Sequence, residues 1–108
     1  MVKLPYMHLA LLKYHSKVTL IHSESEEVAI AELKVWVVPI SEDHPEGLKY
    51  SMFLVQKETG KVLVGFDNHK PKGHHFHYEG RESSYKFKDV DTLLEDFWRM
   101  TLEGGFIL

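Results

Sequence analysis

From Lys17 to Ser23 the chain reads KVTLIHS, β-branched and alternating, which predicts a strand that ends in the acidic turn Glu24–Glu27. VAIAELKVWVVPI follows as a second extended run. Leu33, Val35 and Val37 fall on one of its faces, and Glu32, Lys34 and Trp36 on the other. Pro39 closes the run, because proline donates no hydrogen bond to a sheet ladder. Ser41–Gly47 is a loop by its proline, glycine and acidic content. LKYSMFLVQ and KVLVGFD, joined by a tight turn at Lys57–Gly60, predict a hairpin whose second strand alternates Val62, Val64 and Phe66.

Residues 67–82, DNHKPKGHHFHYEGRE, hold two glycines, a proline and no aliphatic side chain, and predict a loop with at most a short extended piece at His75–Tyr78. Tyr85–Phe87 fits a short last strand. The period then changes. Val90, Leu93, Leu94, Phe97, Met100 and Thr101 recur at spacings of three and four, the stripe of a helix over 89–102. Asp89 or Asp91 caps its start, and Gly104–Gly105 ends it. Before Lys17, Leu4, Met7 or His8, and Leu11–Leu12 stand near helical spacing, with Pro5 suited to a first turn. A short helix and an irregular lead-in both fit residues 1–16.

The expected architecture is α+β, an antiparallel β-meander of about four to five strands with a C-terminal helix packed on one face. One domain covers residues 1–108: the lead-in 1–16, the sheet 17–87 with its His-rich loop 67–82, and the helix 89–102. A length of 108 residues suits one core, and 44% apolar against 27% charged residues excludes disorder. There is no cysteine, which excludes disulfides, thiolate zinc sites and cysteine nucleophiles. No apolar run approaches the roughly 18 residues of a membrane span, and no signal-peptide pattern is present, so a cytoplasmic location and no membrane partner are expected.

Charge and histidine content single out one segment. The net charge is −3, yet residues 68–88 carry Lys70, Lys72, Arg81, Lys86 and Lys88 against Glu79 and Glu82. Four of the eight histidines, His69, His74, His75 and His77, lie in the same segment. A basic, imidazole-rich patch on an acidic body suits a phosphate-bearing ligand, and equally a solvated polar loop. His8, His15, His22 and His44 are scattered and read as structural or surface residues.

Three chemistries fit the segment. In phosphodiester cleavage, His75, His77 and His69 supply acid and base while Lys70, Lys72 or Arg81 stabilises charge on the phosphoryl group. RNA brings its own 2′-hydroxyl nucleophile, so that reaction needs no cofactor. In metal binding, His75 and His77 leave one face of an extended backbone and chelate a divalent ion such as zinc, with His69 or Asp67 as the third ligand. The third is recognition of RNA or an acidic partner without chemistry. Phe76 and Tyr78, among the histidines, are candidates for stacking on bases. Trp36, Trp98, Phe97 and the other tyrosines read as core. Asp67 and Asn68 read as loop-structuring residues, and Gly73 as a point of close backbone approach.

The residues also resemble a known family, the TumE-type toxins of prokaryotic toxin–antitoxin modules, over roughly Lys17–Leu102. The matches run in order: Val35, Trp36, Val38 and Pro39; Lys49, Tyr50 and Met52; then Phe66, Asp67 and Asn68. The family's G-K-G-D-H-R-H stretch stands here as PKGHHFH, matching at Lys72, Gly73, His75 and His77. Tyr85, Phe87, Leu93, Asp96 and Phe97 close the pattern. Pro71, His74 and Phe76 replace a glycine, an aspartate and an arginine, and His69 stands where many members have glutamate. The resemblance implies a small toxin encoded beside a helix-turn-helix antitoxin, with RNA as a possible target, and it leaves room for an oligomer. It places Lys72, Gly73, His75 and His77 at the signature.

Overall fold

The structure is a computed structural model and describes residues 10–108. Among the described residues, seven strands form one antiparallel sheet: β1 (Leu11–His22), β2 (Val28–Val37), β3 (Leu48–Gln56), β4 (Val62–Asp67), β5 (His75–Tyr78), β6 (Arg81–Ser84) and β7 (Phe106–Ile107). Their order across the sheet is β6-β5-β4-β3-β2-β1-β7. The first six therefore follow one another as a meander. The helix α1 (Val90–Glu103) then carries the chain back across the sheet, so that Ile107 pairs with Ile21 at the opposite edge.

The fold is α+β with the helix on one face, but it has more strands than the four to five expected. Two of the additions come from the segment expected to be a loop. Glu79 and Gly80 both hold positive φ, 51° and 77°, which is the two-residue turn that matches the twist of a hairpin. That turn converts HFHY and RESS into β5 and β6, paired from Tyr78–Arg81 to His75–Ser84. Glu-Gly is a weaker signal for this turn than Asn-Gly, and RESS has no apolar alternation, so the hairpin left little trace in the hydrophobic pattern. The third addition, β7, is only two residues long. Tyr85–Phe87, expected as a strand, is a connection outside the strands, tied to the loop before β5 by the Tyr85 amide, which donates to the His74 carbonyl at 3.0 Å.

At the other end, Leu11–Ser16 belong to β1 rather than to a helical or irregular lead-in. The β1–β2 hairpin holds them, with Ser16 opposite Leu33 and Leu11 opposite Val37. The helical option at Leu4, Pro5, Met7 and His8 lies outside the described residues. The Asp89 carboxylate accepts a hydrogen bond from the Thr92 amide at 2.7 Å and so caps α1. This bond holds the Asp89 carboxyl below the usual carboxylate range.

The core follows from strand alternation. Ala31, Leu33 and Val35 of β2, Met52 and Leu54 of β3, and Val64 and Phe66 of β4 point to one face, where Leu93 and Phe97 of α1 cover them. Phe97 meets Phe66 edge-on at 6.3 Å between ring centroids. Among the described residues, no helix lies over the other face. There the same strands present Glu32, Lys34 and Trp36, then Ser51 and Phe53, then Gly65 and Asp67.

Candidate functional site

On the open face, ladder pairing sets residues in rows across the strands. One row is Lys34–Ser51–Asp67–His75–Ser84, and the next is Glu32–Phe53–Gly65–His77–Glu82. Asp67, His75 and His77 thus become neighbours on a surface, although seven residues separate Asp67 from His75 in the chain. Each offers a donor atom, and these atoms lie within 4.8 Å of one another.

His75 is the fixed member. It is 7% exposed, and its Nδ1 lies 2.7 Å from the Gly73 carbonyl oxygen. A carbonyl only accepts, so Nδ1 carries the hydrogen and Nε2 is the nitrogen presented to the site. Nε2 stands 3.1 Å from Asp67 Oδ1 and 4.0 Å from Glu82 Oε1. Asp67 is itself oriented, because the same Oδ1 accepts from the His69 amide at 3.0 Å. His77 is half-buried, its ring 5.2 Å from that of His75 and nearly perpendicular to it. Gly65 lies beneath: a Cβ there would stand 2.5 Å from Phe53 Cε1 and 3.4 Å from His77 Cδ2. The glycine therefore gives the Phe53 and His77 rings their room.

Lys72 completes the rim, bonded to Glu82 at 2.7 Å. Its ammonium holds the Glu82 carboxyl below the usual range, and the imidazoles of His77 and His75 add to the effect. Lys70 reaches Asp43 at 3.5 Å with most of its side chain in solvent. His69 is exposed and lines, with Lys70, Lys72, Asp67 and His75, a hollow of about 270 Å³. It stands outside the three-donor cluster. Asn68 is buried and works on backbone: Tyr50 N–H donates to its Oδ1 at 2.9 Å, and its Nδ2 donates to Leu48 O at 2.8 Å.

Other expected site residues part company with the histidines. Phe76 stacks on Phe66 at 5.5 Å, within the packing under the helix. Tyr78 packs against the same core, and Arg81, its ladder partner, shares that face. The physical reason is the period of two. Once the segment is a strand, Phe76 and Tyr78 must turn away from His75 and His77. Conversely, Trp36, expected in the core, lies half-exposed on the open face.

Two further residues of the segment take places that the sequence alone does not indicate. Glu82 reaches the site because the Glu79–Gly80 turn sets it opposite His77. His74 has a separate task, with Nε2 3.0 Å from Glu46 Oε2 and Nδ1 2.8 Å from the Tyr50 hydroxyl. Glu46 accepts from Nε2–H, so Nδ1 accepts from the tyrosine. Burial pushes the Tyr50 hydroxyl pKa up, which suits it to that donor role. His74 also stacks on Phe87 at 4.8 Å and pins the loop before β5.

The arrangement brings together, on an exposed sheet, the groups that proton transfer or cation binding requires. Against known proteins, the family model described as Toxin TumE matches residues 11–104, a span that begins with β1 and contains the whole site. The chain belongs to the TumE toxin family. No curated protein and no solved structure matches it. Membership makes it a toxin of a toxin–antitoxin system, and a toxin of this kind implies an antitoxin partner. Among the described residues, no helix is long and apolar enough to cross a membrane.

Proposed function

We propose that this toxin acts in the cytoplasm on RNA, cleaving or disabling it through the Asp67–His75–His77 centre, and that a helix-turn-helix antitoxin restrains it. The observation that carries the reading is the convergence of two imidazoles and a carboxylate within 4.8 Å, beside Lys72. In the reaction, His77, the more accessible ring, takes the proton from a 2′-hydroxyl as its oxygen bonds to the adjacent phosphorus. The bond from phosphorus to the 5′ oxygen breaks, and His75 hands that oxygen a proton. A cyclic phosphate and a free 5′-hydroxyl result. Asp67 orients His75 and stabilises its protonated form, while Lys72 and Lys70 offset phosphoryl charge.

Each imidazole is worth roughly 10²–10⁴ in rate by general acid–base transfer. Replacing both His75 and His77 with alanine is therefore expected to abolish growth inhibition and RNA fragmentation while circular dichroism stays that of a folded protein. Full toxicity in that variant would sink the assignment. Toxicity that persists without any RNA fragmentation makes the protein a blocking RNA- or protein-binding module instead.

A second reading has its own support. His75 donates its outer N–H to a backbone carbonyl, the contact that commonly orients a metal-bound histidine, and leaves Nε2 beside Asp67 and His77. That set suits a zinc- or manganese-dependent hydrolase. Calorimetric titration with either ion decides it, since no binding in the micromolar range removes the metal.

A further inference from the structure

The open face continues past the histidines onto β1, β2 and β3, where large rings and lysines share a surface that α1 does not cover. Trp36 and Phe53 lie half-exposed on it, two large rings within one patch. Lys17, Lys34 and Lys49 surround them, with Lys49 Nζ 5.6 Å from the centre of the Trp36 ring. The one carboxylate among them, Glu32, is already held by His15 at 2.8 Å and Lys34 at 3.8 Å. Those contacts, the His15 bond foremost, keep its carboxyl below the usual range. The patch borders a hollow of about 310 Å³. The acidic residues of α1, Asp91, Glu95, Asp96 and Glu103, belong to the element on the opposite side of the sheet.

The rows lead from this patch to the centre. Lys34, Ser51, Asp67 and His75 stand on four successive strands, so the distance covered is three strand spacings, roughly 15 Å. Phe53 sits between the two regions, its ring 6.4 Å from that of His77.

We propose that this face is the track for single-stranded RNA, with bases stacked on Trp36 and Phe53 and phosphates held by Lys17, Lys34 and Lys49, so that the strand runs onto His77. The inference rests on the RNA reading above and names its substrate as single-stranded. Flat rings among lysines suit unpaired bases, because every base has a stacking face and an extended backbone brings its phosphates to the rim. A duplex hides its base faces and offers the rings nothing. Charge complementarity favours this occupant, since three lysines rim the rings and the one carboxylate among them is already paired.

The test is fluorescence anisotropy of a labelled, unstructured RNA oligonucleotide, with the same sequence as a duplex for comparison. Trp36→Ala is expected to weaken single-strand binding roughly tenfold. Lys34→Gln with Lys49→Gln, both changes at solvent-facing side chains, is expected to flatten the salt dependence by about 0.7 per lysine in log–log slope. His77→Ala weakens binding less than Trp36→Ala does. Wild-type affinity and salt slope in the lysine double variant would overturn the track, as would preference for the duplex. Loss of antitoxin binding in these variants with RNA binding intact would make the face a protein interface and overturn it too. The two readings fail separately. Track variants that bind normally beside His-dependent cleavage leave the RNA function standing. Ring-dependent binding without His-dependent fragmentation or toxicity removes the cleavage reading alone.

Discussion

The two faces of the sheet are built from the same strands and share almost nothing else. Under the helix, alternate positions of β2, β3 and β4 are Ala31, Leu33, Met52, Leu54 and Phe66, none more than 1% exposed. On the open face, the residues between them are Glu32, Lys34, Ser51, Phe53, Gly65 and Asp67. A period of two thus separates stability from chemistry within one set of ladders. Asp91, Glu95, Asp96 and Glu103 stand on the helix, whereas Lys17, Lys34, His75 and His77 stand on the open side beside Glu32, Asp67 and Glu82. Substitutions on the covered face should be read in stability, and those on the open face in ligand or function.

Phe97→Ala is the sharpest way to break the covered side. The ring is fully buried against Phe66 and Trp98, so its loss costs about 3–5 kcal/mol in chemical denaturation. His77→Ala, on the open side, is expected to cost less than about 1 kcal/mol and to abolish toxicity. If the two variants lost stability equally, the division between the faces would be wrong. Asn68 ranks next, because it serves both sides. Its side chain continues the β4 ladder after Asp67 by bonding Tyr50 N–H and Leu48 C=O at the mouth of the site. Asn68→Ala leaves both backbone groups without partners and should cost about 2–3 kcal/mol. Asn68→Asp keeps the acceptor for Tyr50 and should fall between that variant and the wild type.

How far each face was legible in the sequence follows from the same alternation. The covered face was readable, since Leu33 and Val35, Val64 and Phe66, and the Leu93–Phe97 stripe are apolar signals at the right period. The site was legible as a segment and not as a surface. His75 and His77 stood out by chemistry, whereas Phe76, Tyr78 and Arg81 were grouped with them by proximity in the chain. Only the Glu79–Gly80 turn tells that they point the other way, and its hairpin strand RESS carries no apolar pattern. Trp36 showed the converse difficulty. Its ring suggests core, yet its place between Val35 and Val37 sets it on the face that α1 does not cover. Glu82 and Asp67 owe their places to ladder register, which no local pattern of charges records.

Gly65→Ala sharpens the boundary between packing and function on the open side. The added methyl meets the Phe53 ring, with Cδ1 at 2.7 Å, and that ring borders solvent and can turn aside. The expected cost is therefore near the low end of overpacking, about 1 kcal/mol. The larger consequence is displacement of Phe53 and His77, read as weaker single-strand RNA binding and reduced toxicity in a protein that still melts cooperatively. A loss of several kcal/mol would show instead that the Phe53 ring is locked in place and belongs to the structural half of the molecule.

The smallest effect concerns the strap that holds the helix to the site edge. Tyr85 follows β6, donates to Asp96 Oδ2 at 2.6 Å and sets its ring edge-on to Phe66 at 5.0 Å. Partial burial raises the Asp96 pKa, but the Tyr85 hydroxyl and Arg99 outweigh it, so the carboxyl titrates below its ordinary value. A lowered folded-state pKa stabilises the protein above the unfolded value of about 3.9, and that contribution is lost as pH falls through the folded value. Tyr85→Phe keeps the ring and removes the donor, so it should cost about 1 kcal/mol at pH 7. The gap between variant and wild type should close as pH is taken from 5 towards 2, because a protonated Asp96 no longer holds the charge that the hydroxyl stabilises. Urea midpoints measured across that range check it. A gap that stayed constant with pH would place the value of Tyr85 in its ring packing, and tie the strap to the covered face alone.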